Sequence, residues 1–251
     1  MTSDDTSALI VSARAEVDAA IGPADSVTDR PTALRSAATL AGRIDHTLLA
    51  PDATAERIEA LCVQAREHGF ASVCVNSRWV PLAAACLRGS DVMVCSVVGF
   101  PLGAMAVEAK AFEAGVAVSS GADEIDMVMD IGSMLSGDLE AVLADMRAVI
   151  RASAGRPVKV IIEACLLDDR QKVLACLLAV RSGAAYVKTS TGFSVGGATL
   201  HDVALMRAVV GDALGVKASG GIRDRATAVA MIDAGADRIG ASASIAIAAE
   251  E

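Results

Sequence analysis

Lysine is scarce in this 251-residue chain: there are five, against 31 acidic residues, and the formal net charge is −9 at pH 7. With so few cations and no lysine- or arginine-rich cluster, a nucleic-acid-binding surface is excluded, although a local basic pocket for a small anion is not. Hydrophobic residues make up 53% of the chain, yet no uninterrupted apolar stretch is long enough to span a bilayer, so no membrane segment is expected. The six cysteines, Cys62, Cys74, Cys86, Cys95, Cys165 and Cys176, show no C-x-x-C spacing, which argues for reduced, mostly buried thiols. Cys74 and Cys165 stand near strand ends, but neither has an identifiable partner base. Three scattered histidines, His46, His68 and His201, lack the spacing of a zinc site. The N-terminus, Met1-Thr2-Ser3-Asp4-Asp5, is acidic where a secretory leader is basic, which favours a cytoplasmic protein.

What the chain does have is placement. Lys159, Lys188 and Lys217 lie 29 residues apart, each ending a Val-Lys pair inside a short apolar run that reads as a buried strand. An uncompensated buried ammonium costs several kcal/mol, so these lysines need a use. Burial shifts an amine toward its neutral form, and a neutral amine attacks a carbonyl to give a Schiff base.

A strand, a helix and two loops together occupy about 30 residues, so the spacing also suggests a repeating βα unit. Similar strand-like runs occur at 43–49, 71–76, 92–100, 124–129 and 237–242, which with the three lysine strands makes eight. Helical periodicity links them at 54–68, 81–87, 105–119, 139–152, 168–182, 200–210, 223–234 and 242–249, and several helices end at a glycine such as Gly69, Gly183 or Gly235. Near-continuous apolar strands alternating with helices predict a closed (β/α)8 TIM barrel over residues 41–251, with an open doubly wound sheet as the competitor. Residues 1–40 form an N-terminal helical extension. Asp5-Thr6 is expected to cap a helix from Ala8 to Ile21, stopped by Gly22-Pro23, and a second helix is expected from Thr32 to Ala41. The extension would cover the barrel bottom or make a subunit contact, as in a homodimer.

Five segments carry a specific resemblance: Ile44-Asp45-His46-Thr47-Leu48-Leu49, Val97-Val98-Gly99-Phe100-Pro101-Leu102-Gly103, Ala122 to Met129, Val187-Lys188-Thr189-Ser190-Thr191-Gly192-Phe193 and Lys217 to Arg223. In this order, across residues 44–245, the chain resembles the deoxyribose-phosphate aldolases. The resemblance implies a class I aldolase that interconverts 2-deoxy-D-ribose 5-phosphate with D-glyceraldehyde 3-phosphate and acetaldehyde, with no metal or other cofactor and with small sugar-phosphate and aldehyde partners. It implies that Lys188 forms the Schiff base and that Lys217 supplies the positive charge that keeps Lys188 neutral. Asp126 would move protons through an ordered water, Lys159 would assist it, and Asp45, Thr47 and Cys74 would lie near the substrate. Alternatives remain for each: a strand-end lysine often only pairs with a carboxylate, Asp126 could simply bridge to Lys159, and Asp45 and Thr47 could close strand one.

For the phosphate, Gly220-Gly221, Gly240-Ala241-Ser242 and Thr191-Gly192 stand where barrels place backbone N–H donors, and Arg223 is within reach of the same anion; turn formation alone would also explain the glycines. Two positions depart from the pattern. Ser242-Ala243 replaces a Ser-Ser pair, and Asp130 stands where Asn is expected. The sequence ends at Glu251, so no tail is expected to close over the site. Other lysine-dependent aldolases, a phosphate-handling barrel isomerase and a non-catalytic sugar-phosphate sensor are the competing functions.

Overall fold

The alternation of strand and helix is realised as a parallel barrel that closes on itself in chain order. The computed structural model describes residues 2–23 and 39–249. Its strands are β1 (Ile44–Leu48), β2 (Ser72–Val75), β3 (Met93–Val98), β4 (Glu124–Val128), β5 (Val158–Ile161), β6 (Tyr186–Lys188), β7 (Gly215–Ser219) and β8 (Arg238–Ala241). Each pairs with the next, and β8 returns to β1, which rules out the open sheet. The helices are α1 (Ser3–Ile21), α2 (Ala55–His68), α3 (Val80–Cys86), α4 (Val107–Ser119), α5 (Ile131–Ser136), α6 (Leu139–Ala152), α7 (Asp169–Ser182), α8 (Leu200–Val210), α9 (Arg225–Asp233) and α10 (Ser244–Ala248).

Strand residues alternate between two environments because Cβ direction has a period of two. One set, including Ile125, Met127, Val160, Val187, Val216 and Ile239, joins a hydrophobic core with helix residues such as Val142, Met146, Leu174 and Met206. The other set, including Asp45, Asp126, Lys159 and Lys217, points into the barrel and is fully buried. Local chemistry sets the helix ends. Thr54, Asp168, Thr199 and Asp224 cap α2, α7, α8 and α9 by accepting a backbone N–H three residues on, each worth about 1 kcal/mol. Gly69 and Gly183 end α2 and α7 in the left-handed conformation.

Three features differ from the sequence reading. First, α1 starts earlier than expected: Thr2 and Asp5 form a reciprocal capping box, Asp5 N–H to Thr2 Oγ1 at 3.2 Å and Thr2 N–H to Asp5 Oδ2 at 2.9 Å. Thr2 rather than Asp5-Thr6 is the cap because the box needs an acid three residues after the cap. The helix ends at Gly22 as expected, and it packs on α6 and α7. There Arg181 pairs with Asp18 at 2.9 Å and donates to the Gly22 carbonyl at 2.6 Å. The expected helix 32–41 falls largely on 24–38, outside the described residues; Ala41–Arg43 is a 3-10 turn. Second, α5 was not foreseen. Asp130 is its cap, accepting from Ser133 N at 3.1 Å and Ser133 Oγ at 2.7 Å. Its extra negative charge therefore serves a helix terminus. Third, Lys110 on α4 is buried against Asp145 on α6 at 2.8 Å, and its ammonium also donates to the Val128 carbonyl at 3.0 Å, which secures the end of β4.

Candidate active site

Barrel register brings the charged side chains together. Asp126 on β4 pairs with Lys159 on β5, and Lys188 on β6 pairs with Lys217 on β7. Lys159 is level with Tyr186, so Lys188 sits one pleat nearer the C-terminal mouth. Gly240 on β8 makes room: a Cβ there would lie 2.9 Å from the Ser219 Cβ and 3.0 Å from the Lys217 Cε.

Asp126 is the hub. Its Oδ1 accepts from Lys159 Nζ at 2.9 Å, while Oδ2 accepts from both Lys188 Nζ and Lys217 Nζ at 2.7 Å. Lys217 Nζ also lies 2.5 Å from Asp45 Oδ2, and Lys159 Nζ lies 2.7 Å from Glu124 Oε2. Arg238 closes the network, 2.7 Å from Asp45 Oδ1 and 3.1 Å from Glu124 Oε1, with its guanidinium over the Tyr186 ring. Burial opposes the charge on Asp126 and Asp45, but the cations around them outweigh it, and both carboxyls are held below the usual carboxylate range. Burial likewise opposes the ammonium charges of Lys159 and Lys217. Asp126 leads a set of anionic neighbours that reverses the effect, and both amines are pushed above the ordinary lysine value. Both therefore stay cationic.

The array holds three carboxylates, Asp45, Glu124 and Asp126, against four basic groups, Lys159, Lys188, Lys217 and Arg238. Three of those cations balance the carboxylates. The fourth is in excess, and position selects which one: Lys188 is the lysine in the wall of the cavity at the barrel mouth. That cavity has a volume of about 420 Å³, within the ~300–1,000 Å³ range of small-molecule sites.

The cavity wall also contains Thr47, Thr191, Gly192, Gly220, Gly221, Arg223, Gly240 and Ser242. It includes Arg57 as well, and no aspartate or glutamate. In a chain of net charge −9, a cavity lined by Arg57 and Arg223 and by no carboxylate is suited to an anion. Asp45, Asp126, Lys159 and Lys217 lie beneath the wall, in the ionic array. Cys74 is fully buried and packs with Leu49, Cys95 and Val97.

A model for the DeoC/LacD family aldolases matches residues 39–248. The chain belongs to that family. The deoxyribose-phosphate aldolase of Brevibacillus brevis is 59% identical over 204 residues, 81% of this chain and 92% of that protein. The Streptococcus gordonii protein of the same name is 60% identical over 204 residues, 81% of this chain and 93% of its own length. Among solved structures, the tetrameric deoxyribose phosphate aldolase of Aeropyrum pernix has a TM-score of 0.79 at 32% identity, covering 99% of this chain and 97% of its own. QR15, an aldolase, has a TM-score of 0.82 at 38% identity over 85% of this chain and 96% of its own.

The geometry of this aldolase adds residues that the sequence reading missed. Glu124 lies two residues before Asp126, on the same strand face, and strand periodicity alone would have found it. Glu163 follows β5 in a left-handed backbone conformation, φ 49°, at 1% exposure. Its carboxylate accepts from the Thr191 backbone N–H at 3.3 Å and from the Thr191 hydroxyl. The same hydroxyl oxygen accepts from Phe193 N at 3.1 Å, so Glu163 fixes the loop that brings Gly192 and Phe193 to the cavity. At the departure Ser242-Ala243, Ser244 is buried and donates to the Ala241 carbonyl at 2.8 Å. Ser242 is therefore the hydroxyl this loop offers to the cavity.

Among the described residues, two groups have converging metal-type donors: Cys74, Cys95 and Asp126, and Asp169, His201 and Asp202. In both, lysine ammonium groups already hold the carboxylates, Lys159 at 2.9 Å from Asp126 and Lys172 at 2.7 Å from Asp202.

Proposed function

We propose that this aldolase reversibly cleaves 2-deoxy-D-ribose 5-phosphate to D-glyceraldehyde 3-phosphate and acetaldehyde through a Schiff base on Lys188. The observation that carries this reading is the position of Lys188, in the cavity wall above an ion-paired floor in which Lys159, Lys217 and Arg238 already balance three carboxylates. An amine at this position, open to the cavity, is the one that can reach a substrate carbonyl carbon as a nucleophile. That amine attacks the substrate aldehyde carbon, and water leaves to give an iminium. The C2–C3 bond then breaks as the C3 hydroxyl loses its proton, and the bond electrons move into the iminium as an enamine. Protonation at C2 and hydrolysis release acetaldehyde and restore the amine.

Asp126 Oδ2, 2.7 Å from Lys188 Nζ, is placed to relay protons on the carbinolamine and the enamine through a water. Lys159 and Lys217 keep Asp126 ionised, and Lys217 adds positive potential beside Lys188. Asp45 anchors Lys217, and Cys74 packs beneath the site with Cys95. Thr47 and Thr191 face the sugar hydroxyls. Backbone N–H groups of Gly192, Gly220, Gly221 and Gly240, the Ser242 hydroxyl and Arg223 hold the 5-phosphate. Phosphorylated sugar substrates support a cytoplasmic location.

Acetaldehyde plus borohydride tests this reading. Reduction of the imine should leave an ethyl group on the peptide containing Lys188. An ethyl group on another lysine, or none, overturns the proposal.

A further inference from the structure

Arg57 is out of place as a structural residue. It is the third residue of α2, and a cation in the first turn opposes the helix dipole. Its guanidinium donates to Asp52 Oδ1 at 3.3 Å and the Asp52 carbonyl at 3.4 Å, both long for charge-assisted contacts. The pair is exposed, 47% at Arg57 and 80% at Asp52, where an ion pair contributes little. Yet Arg57 belongs to the cavity wall that holds Lys188 and Arg223, while Asp52 does not. An arginine weakly held outside a cavity that lacks carboxylates is available to an anion within it. A phosphate offers two charges and several oxygens to the guanidinium fork, against one charge and two long contacts at Asp52.

We propose that Arg57 is a second phosphate-recognition residue of this site and that Asp52 competes with the ligand for it. On binding, the guanidinium leaves Asp52 for the phosphate. Asp52 thereby tunes affinity for phosphorylated substrates without touching them. The inference rests on the sugar-phosphate reading above for its natural ligand, but not for its chemistry, which inorganic phosphate can report.

The test uses the full chain with Arg57→Ala, Arg57→Lys and Asp52→Asn, and titrates each with inorganic phosphate by calorimetry. Loss of one charge-assisted contact should weaken phosphate binding about tenfold in Arg57→Ala. Arg57→Lys should fall between Arg57→Ala and wild type, and Asp52→Asn should bind about twofold more tightly. Binding by Arg57→Ala should also depend less on salt. In turnover, Arg57→Ala should raise KM for the 5-phosphate more than for 2-deoxyribose. Equal phosphate affinity in Arg57→Ala and wild type overturns the proposal, as does weaker binding in Asp52→Asn. If phosphate binding depends on Arg57 but the wild-type enzyme does not distinguish 2-deoxyribose 5-phosphate from 2-deoxyribose, the anion site stands and the substrate assignment fails.

Discussion

Replacing Lys217 with leucine removes a positive charge without removing the proposed nucleophile. Lys188 Nζ and Lys217 Nζ each lie 2.7 Å from Asp126 Oδ2, so the two nitrogens are on the order of 5 Å apart. At an effective dielectric constant of ~20 their repulsion is about 3 kcal/mol. The substitution also leaves Asp45, Glu124 and Asp126 with only Lys159, Arg238 and Lys188 as basic partners, so Lys188 is then held as a counter-ion. Both effects have one sign. Acetaldehyde trapping by borohydride near neutral pH should slow in Lys217→Leu and recover as the pH is raised. Trapping rates on purified Lys217→Leu between pH 6 and 10, with the wild type alongside, measure this. An unchanged profile, or a shift to lower pH, would refute the electrostatic reasoning, and loss of trapping at every pH would transfer the nucleophile's role to Lys217.

Arg223→Ala and Ser242→Ala should each raise KM for the 5-phosphate more than for unphosphorylated 2-deoxyribose; equal losses with both substrates would make these residues scaffold. Glu163→Ala should free the Thr191 loop, raising KM severalfold while leaving acetaldehyde trapping at Lys188 intact, and Glu163→Gln, which keeps an acceptor, should restore most of the loss. Lys110→Met strands the buried Asp145 carboxylate and should cost about 3–5 kcal/mol in urea unfolding; Lys110→Met combined with Asp145→Leu should recover most of it, and a double variant no better than the single would show that the cost lies elsewhere.

The barrel was legible because its signals are local. Lysines recurring at 29 residues mark strand positions, apolar runs mark buried strands, and glycines such as Gly69 and Gly183 mark helix ends. Helix α5 escaped because six residues are too few to show a period, although Asp130, the departure noted in the sequence, is its cap. The floor of the site was half legible: Asp126, Lys159 and Lys217 stand out as charges in apolar strands, and Glu124 follows from the period of two. Arg238 was hidden because its long side chain crosses the barrel to reach Asp45 and Glu124, a contact 114 residues distant in one case. Arg57 was hidden for the same kind of reason. It comes from a helix whose own periodicity gives no hint that one side chain reaches the cavity. Asp45 and Cys74, which the resemblance places near the substrate, lie below the cavity wall, in the ionic array and in the Cys95 cluster.

The central claim is that Lys188, the amine left over above the balanced floor, is the nucleophile, and peptide mapping after acetaldehyde and borohydride treatment of wild type and Lys188→Ala tests it most directly. The account predicts an ethyl group on the Lys188 peptide of the wild type and no modified active-site peptide in the variant. An ethyl group on the Lys217 or Lys159 peptide, or undiminished trapping in Lys188→Ala, would contradict it.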